Sequence, residues 1–90
     1  MTYRIEFRPA ARRDLAKLER FIASKVIADI EKLAENPRPH GAERLEGVEK
    51  LYRIRVGPGK NYRAVYQISD EKLVVLVVKV GDRKDVYRSL

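Results

Sequence analysis

The spacing of apolar residues changes once along this chain, and that change limits the fold more than any other feature. Ala11, Leu15, Leu18, Ile22, Val26, Ile30 and Leu33 recur at intervals of three and four, which lines one side of a helix. From residue 51 the interval is two. In LYRIRV (51–56), Tyr52, Ile54 and Val56 alternate with Leu51, Arg53 and Arg55. In NYRAVYQI (61–68), Tyr62, Ala64, Tyr66 and Ile68 alternate with Arg63, Val65 and Gln67. LVVLVVKV (73–80) is apolar on both sides until Lys79, as expected of a central strand covered on both faces. Between the two regimes lies NPRPHG (36–41), whose prolines disfavour helix at the residues before them.

The remaining elements follow from these limits. TYRIEF (2–7) alternates and reads as a half-buried first strand, and Pro9 suits the first turn of a helix. One helix over 10–36 would be about 40 Å long, more than a domain of this size covers, so a bend is expected near residues 18–21. AERLEGVE (42–49) is read as a polar loop anchored by Leu45, GPGK (57–60) and SDEK (69–72) as turns, and Gly81 as the point where the chain leaves the last strand. The order is strand, two helices, three strands. The reading is a small single α+β domain spanning 1–90, in which a helical hairpin packs on one face of a sheet whose C-terminal strands form a three-stranded antiparallel meander.

Composition narrows the function classes. Ninety residues bury only about 60–65% of their unfolded surface, so the core is modest. Twenty Lys and Arg against thirteen Asp and Glu leave a net charge of +7, with both halves basic. Such an excess suits nucleic acid, an anionic membrane or an acidic protein partner. There is no cysteine, which excludes disulfides and thiolate metal sites and is compatible with the cytosol. Six residues is the longest apolar run, far short of a membrane span, and no signal peptide opens the chain, so a cytoplasmic location is expected.

Chemistry concentrates in one place. Between Lys50 and Arg63 lie five cations and no carboxylate. The pleat puts Arg53, Arg55 and Arg63 on the face opposite Tyr52, Ile54, Tyr62 and Ala64, away from the expected helices. Guanidinium is planar, permanently charged and able to grip phosphate oxygens through two N–H groups. Arg83, Lys84, Tyr87 and Arg88 follow the last strand and could fold back beside the three arginines. The pattern fits either a polyanion site or a solvated sheet face with counter-charges supplied from elsewhere. His40, the only histidine, reads as a surface or loop residue. No His/Asp/Glu cluster has metal-ligand spacing, and GPGK lacks the remainder of a phosphate-binding loop. Tyr3, Tyr62 and Tyr66 read as core residues.

LYRIRV…NYRAVYQI…VVLVVKVGDRKDVYR resembles the C-terminal half of the RelE/ParE toxin superfamily, and most closely its RelE branch. RIEFRPAARRDLAKL and LAENPRP…A-x-RLEG are similar to that family's strand, helical hairpin and loop, so the resemblance spans nearly the whole chain. It implies the toxin of a type II toxin–antitoxin pair: a ribosome-dependent endoribonuclease (mRNA interferase) that enters the decoding site and cleaves mRNA there. It also implies inhibition by a cognate RelB-like antitoxin in a hetero-oligomer, with no cofactor and no membrane partner. Carried over by position, Arg53, Arg55, Arg63, Arg83 and Tyr87 match the family's catalytic set. Lys50, Lys60, Lys84 and Arg88 are the accompanying RNA-binding candidates.

Metal-independent cleavage proceeds by attack of a ribose 2′-OH on the adjacent phosphorus, with charge gathering on the non-bridging oxygens. Arg63 and Arg83 are assigned to that charge, Arg53 and Arg55 to phosphate positioning, and Tyr87 to stacking on or hydrogen bonding with the nucleotide. Relatives often carry lysine where this chain has Arg53 and Arg55, and some carry an imidazole or lysine where it has Asp82. Arginine does not serve as a base, so Asp82, Tyr87, Lys60 and the ribosomal RNA stand as alternatives for proton transfer. Two other readings stay open: a non-enzymatic ParE-like toxin that inhibits DNA gyrase, and a degenerate module that binds only antitoxin or nucleic acid. An acidic antitoxin segment is expected to lie directly over the basic face.

Overall fold

The computed structural model describes residues 2–45 and 50–82. Strand β1 (Arg4–Phe7) leads into helix α1 (Pro9–Ala16), with Pro9 in the first turn where its missing N–H costs nothing. Extended backbone at Glu19 breaks the helical run, and α2 (Arg20–Glu31) follows, prolonged by a 3₁₀ turn, Lys32–Ala34. The break falls where the length of the helical stripe requires it. Three long strands come next: β3 (Leu51–Val56), β4 (Tyr62–Ser69) and β5 (Val74–Asp82). They form the expected antiparallel meander.

Two expectations are corrected. The stretch 42–49 is not all loop, because Glu43–Arg44 form a short edge strand, β2, antiparallel to β3. Gly81 does not end the last strand. β5 continues to Asp82, with Gly81 opposite Arg63 and Asp82 opposite Tyr62. Main-chain pairing with β4 outweighs the weak strand preference of glycine there.

The sheet order is β1-β5-β4-β3-β2, with β1 parallel to β5 and every other pair antiparallel. Both helices lie on one face, α1 against β1 and β5, α2 against β3 and the turn after it. Ala11, Val26, Ile30 and Leu33 meet Val56, Ala64, Tyr66, Val75, Val77 and Val80 in the main core, and Leu15, Leu18 and Ile22 pack on its margin. The whole apolar stripe of the helices is therefore used. One irregularity adjusts the β4–β5 register: Val65 faces Lys79 while Tyr66 faces Val77, leaving Val78 as an extra residue. This bulge lets Val77 and Val80 both reach the helix side, while Val78 joins a small second cluster of Leu45, Leu51 and Val65.

Asp14 ties α1 to the bulged strand. Its carboxylate accepts the Val80 N–H at 3.0 Å and the Lys79 ammonium at 3.4 Å. Asp29 does the same for α2 by accepting the Gly57 N–H at 2.8 Å. Burial pushes the Asp29 carboxyl up, but the Gly57 N–H and Lys32 outweigh it and hold the group below the usual carboxylate range. Gly57 itself has φ +82, and a Cβ there would lie 2.9 Å from the Val26 side chain. The hairpin of β3 and β4 is thus fastened to the helices at its tip.

Candidate nucleic-acid interface

Residues opposite one another in an antiparallel pair share a face, so the register alone assembles the site. Across β2, β3 and β4, Glu43 stands opposite Arg53 and Arg53 opposite Val65. One row on, Arg55 stands opposite Arg63, and Arg63 opposite Gly81, which adds no side chain beside it. Arg53, Arg55 and Arg63 line one cavity of about 320 Å³ with Lys60, His40, Gly41, Glu43 and Ile54. The three arginines of the hairpin converge, as the pleat requires.

The cavity nevertheless holds a carboxylate. Arg53 Nη2 donates to Glu43 Oε2 at 2.7 Å. That hydrogen bond and charge, followed by the charges of Arg55 and Arg63, hold the Glu43 carboxyl below its usual range. The acid-free stretch 50–63 therefore receives a counter-charge from the β2 edge, which offsets the repulsion of two arginines placed directly opposite each other. Among the described residues, Arg55 and Arg63 make no side-chain ion pair.

His40 reaches the cavity from the preceding loop. The Ala42 N–H donates to the Pro39 carbonyl at 3.0 Å, closing a turn with His40 and Gly41 at its two central positions. Gly41 takes φ +104 there, a conformation that favours glycine and fixes His40 at the corner. The loop is itself clamped. Arg38 donates from both terminal nitrogens to Asp70, at 3.1 and 2.9 Å, and from Nε to the Tyr52 hydroxyl at 3.3 Å. Tyr3 donates its hydroxyl to Asp70 at 2.7 Å. The Arg38 hydrogen bonds, then that of Tyr3, draw the Asp70 carboxyl from 3.8 to about 2. Tyr66, fully buried, donates to the Pro37 carbonyl at 2.8 Å and stacks on Tyr52 with centroids 5.8 Å apart. Burial, first of all, pushes its hydroxyl up.

Tyr3 and Tyr62 pack against the main core as well, so the four tyrosines among the described residues serve packing there. Of the accompanying cations, Lys60 lines the cavity at the end of the 3₁₀ turn Pro58–Lys60, in a left-handed conformation with φ +56. Lys50 does not. It is exposed and borders a separate groove of about 890 Å³ between Arg44 and the turn at Asp70. Arg83, Lys84, Tyr87 and Arg88 lie outside the described residues. Sequence reasoning missed Glu43 and undervalued His40. Both belong to non-periodic chain, and the only available signal was their chemical type. Among the described residues, no three His, Asp or Glu side chains gather as a metal site, and no helix is long and apolar enough to cross a membrane.

Comparison with known proteins agrees with this architecture. Residues 5–87 match the family model described as the ParE toxin of the type II toxin–antitoxin system parDE. The chain is 34% identical over 89 residues to the mRNA interferase toxin RelE of Escherichia coli, covering 97% of this chain and 92% of that one. It is likewise 34% identical to toxin RelG of Mycobacterium tuberculosis, covering 98% and 99%. In the crystal structure of the intact E. coli RelBE toxin–antitoxin complex, a chain 30% identical superposes with a TM-score of 0.74, over 91% of this chain and 98% of that one. A strand, a helical hairpin and an antiparallel meander are thus the fold of a known group: the chain belongs to the RelE/ParE superfamily of type II toxins.

Proposed function

We propose that this chain is a ribosome-dependent endoribonuclease, held inactive by a cognate antitoxin. The observation that supports it most is the convergence of Arg53, Arg55 and Arg63 on one cavity, with Lys60 at its rim. A scissile phosphate seated there meets guanidinium groups already aimed at it. They stabilise the extra charge of the pentacoordinate transition state more than the charge of the ground state. Arg63, without an ion-pair partner among the described residues, is assigned to the transition-state charge. Arg55 opposite it and Arg53 beside it position the phosphate, with Glu43 displaced as RNA enters. Arg83 and Tyr87 complete the set, Tyr87 against the nucleotide. Lys60, Lys50, Lys84 and Arg88 are assigned to flanking phosphates. The relatives named as mRNA interferases support the reaction class, and the neighbouring toxin–antitoxin complex supports the partner. An acidic antitoxin segment would neutralise the same cavity.

The test is a translation extract with mRNA ends mapped by primer extension. New ends within ribosome-bound codons are expected with the wild type and are lost with Arg63→Ala. Intact mRNA at saturating protein would overturn the reading. The matching family description, which names ParE, favours one second reading, inhibition of DNA gyrase. A supercoiling assay that shows inhibition while mRNA stays intact would establish it instead.

A further inference from the structure

A cavity made of arginines explains charge stabilisation but not the removal of a proton from the attacking 2′-hydroxyl. We infer that His40 is the group that accepts it, an inference resting on the proposed nuclease reaction. Among the described side chains of the cavity, its chemistry favours it. Among the described residues, the titratable groups bordering the cavity are Arg53 and Arg55 on β3, Lys60 on the turn, Arg63 on β4, Glu43 on β2 and His40 in its own loop. Guanidinium does not give up its proton. Lys60 is exposed, and its ammonium carries three donors and no lone pair to accept a proton. Glu43 is engaged by Arg53 at 2.7 Å, and a carboxyl held below its usual range is a weak base. Imidazole is the side-chain type that exchanges protons between about pH 5 and 8.

The local structure also supports a role beyond solvent exposure. His40 occupies a turn corner that Gly41 makes possible at φ +104 and the Pro39–Ala42 hydrogen bond closes. The segment before it is fastened at Pro37 by Tyr66 and at Arg38 by Asp70 and Tyr52. Among the described residues no hydrogen bond occupies the ring, which is exposed on the cavity side of a clamped loop. In the step assigned to it, an imidazole nitrogen takes the 2′-OH proton as the 2′-oxygen bonds to phosphorus. The bond from phosphorus to the 5′-oxygen breaks with its electron pair, and that oxygen takes a proton from solvent. The products are a 2′,3′-cyclic phosphate and a 5′-hydroxyl, and the imidazolium returns its proton to solvent.

The experiment compares wild type, His40→Gln and Glu43→Gln in single-turnover cleavage of mRNA on programmed ribosomes across pH 5–8. Ribosome binding is measured in parallel by co-sedimentation. His40→Gln is expected to cleave about 10²- to 10⁴-fold more slowly, to bind ribosomes as the wild type does, and to lose the rise of rate with pH. Because the chain has one histidine, its ring signals in an NMR spectrum are unambiguous. They are expected to shift when a trinucleotide lacking the attacking 2′-OH is added. A His40→Gln rate and pH profile equal to wild type would overturn the inference while leaving the nuclease reading intact. So would a loss confined to Glu43→Gln, which would make the carboxylate the acceptor. A wild type that cleaves nothing would remove the reaction and His40's part in it together.

Discussion

At Arg53 the guanidinium already holds a carboxylate, so the arginine cavity is not simply waiting for charge. On the proposed reading, Glu43 and a phosphate would compete for the same donors, and RNA would gain only the difference between the two anions. Glu43→Gln is therefore expected to tighten binding of a non-cleavable trinucleotide severalfold at low salt, measured by fluorescence anisotropy. Unchanged affinity would mean that the phosphate does not reach Arg53. The arginines were legible in the sequence because strand parity is a geometric rule, and Arg53, Arg55 and Arg63 obey it. Glu43 and His40 were not, because what brings them in is a two-residue strand and a turn corner, neither of which leaves a repeating pattern.

Elements set the precision of this arrangement. The β3–β4 hairpin carries all three arginines, and its tip is held by the Asp29 carboxylate on the Gly57 N–H. A side chain at Gly57 would meet Val26 at 2.9 Å and Tyr62 at 3.0 Å, in backbone that L residues rarely adopt. Gly57→Ala is expected to cost about 1–3 kcal/mol and to lower the melting temperature by several degrees. On the proposed nuclease reading it also weakens cleavage, because this hairpin carries Arg55 and Arg63. Calorimetry beside the ribosome assay checks both, and a variant as stable and active as wild type would show that the tip tolerates displacement. The helix-to-strand transition and the helical break were readable from apolar period and length. The continuation of β5 through Gly81 was not, since its cause is pairing with Arg63 on a distant strand. Nor was the bulge at Val78, which adjusts register without altering the apolar run.

At the scale of the whole molecule, charge governs both binding and acid tolerance. For single-stranded RNA the logarithm of affinity falls with the logarithm of salt by about 0.7 per phosphate neutralised. Arg55→Ala is expected to flatten that slope by about 0.7 in a titration from about 50 to 200 mM salt, and an unchanged slope would take Arg55 off the phosphate path. In acid, the Arg38–Asp70–Tyr3 clamp loses its carboxylate charge. Asp70 is drawn from 3.8 to about 2, so its contribution to stability is complete above pH 3.8 and lost as pH falls toward 2. Asp29 and Glu43 are shifted in the same direction. Circular dichroism is expected to show a folded protein at pH 5 that unfolds progressively below about pH 4; unfolding already at pH 5 would mean that these pairs do not control it. Family, layer order and basic face were thus available from the sequence, while the clamps that fix the loop required coordinates. The placement of β5 between β1 and β4 has a further consequence for how such a protein is made. A chain synthesised from its first residue exposes β1, α1 and α2 before residues 74–77 exist to pair with β1. Until then the helices have no completed sheet to cover. The sheet closes only when β5 pairs with both β1 and β4, so a growing chain carries its arginine hairpin before it has the sheet that holds the hairpin in place.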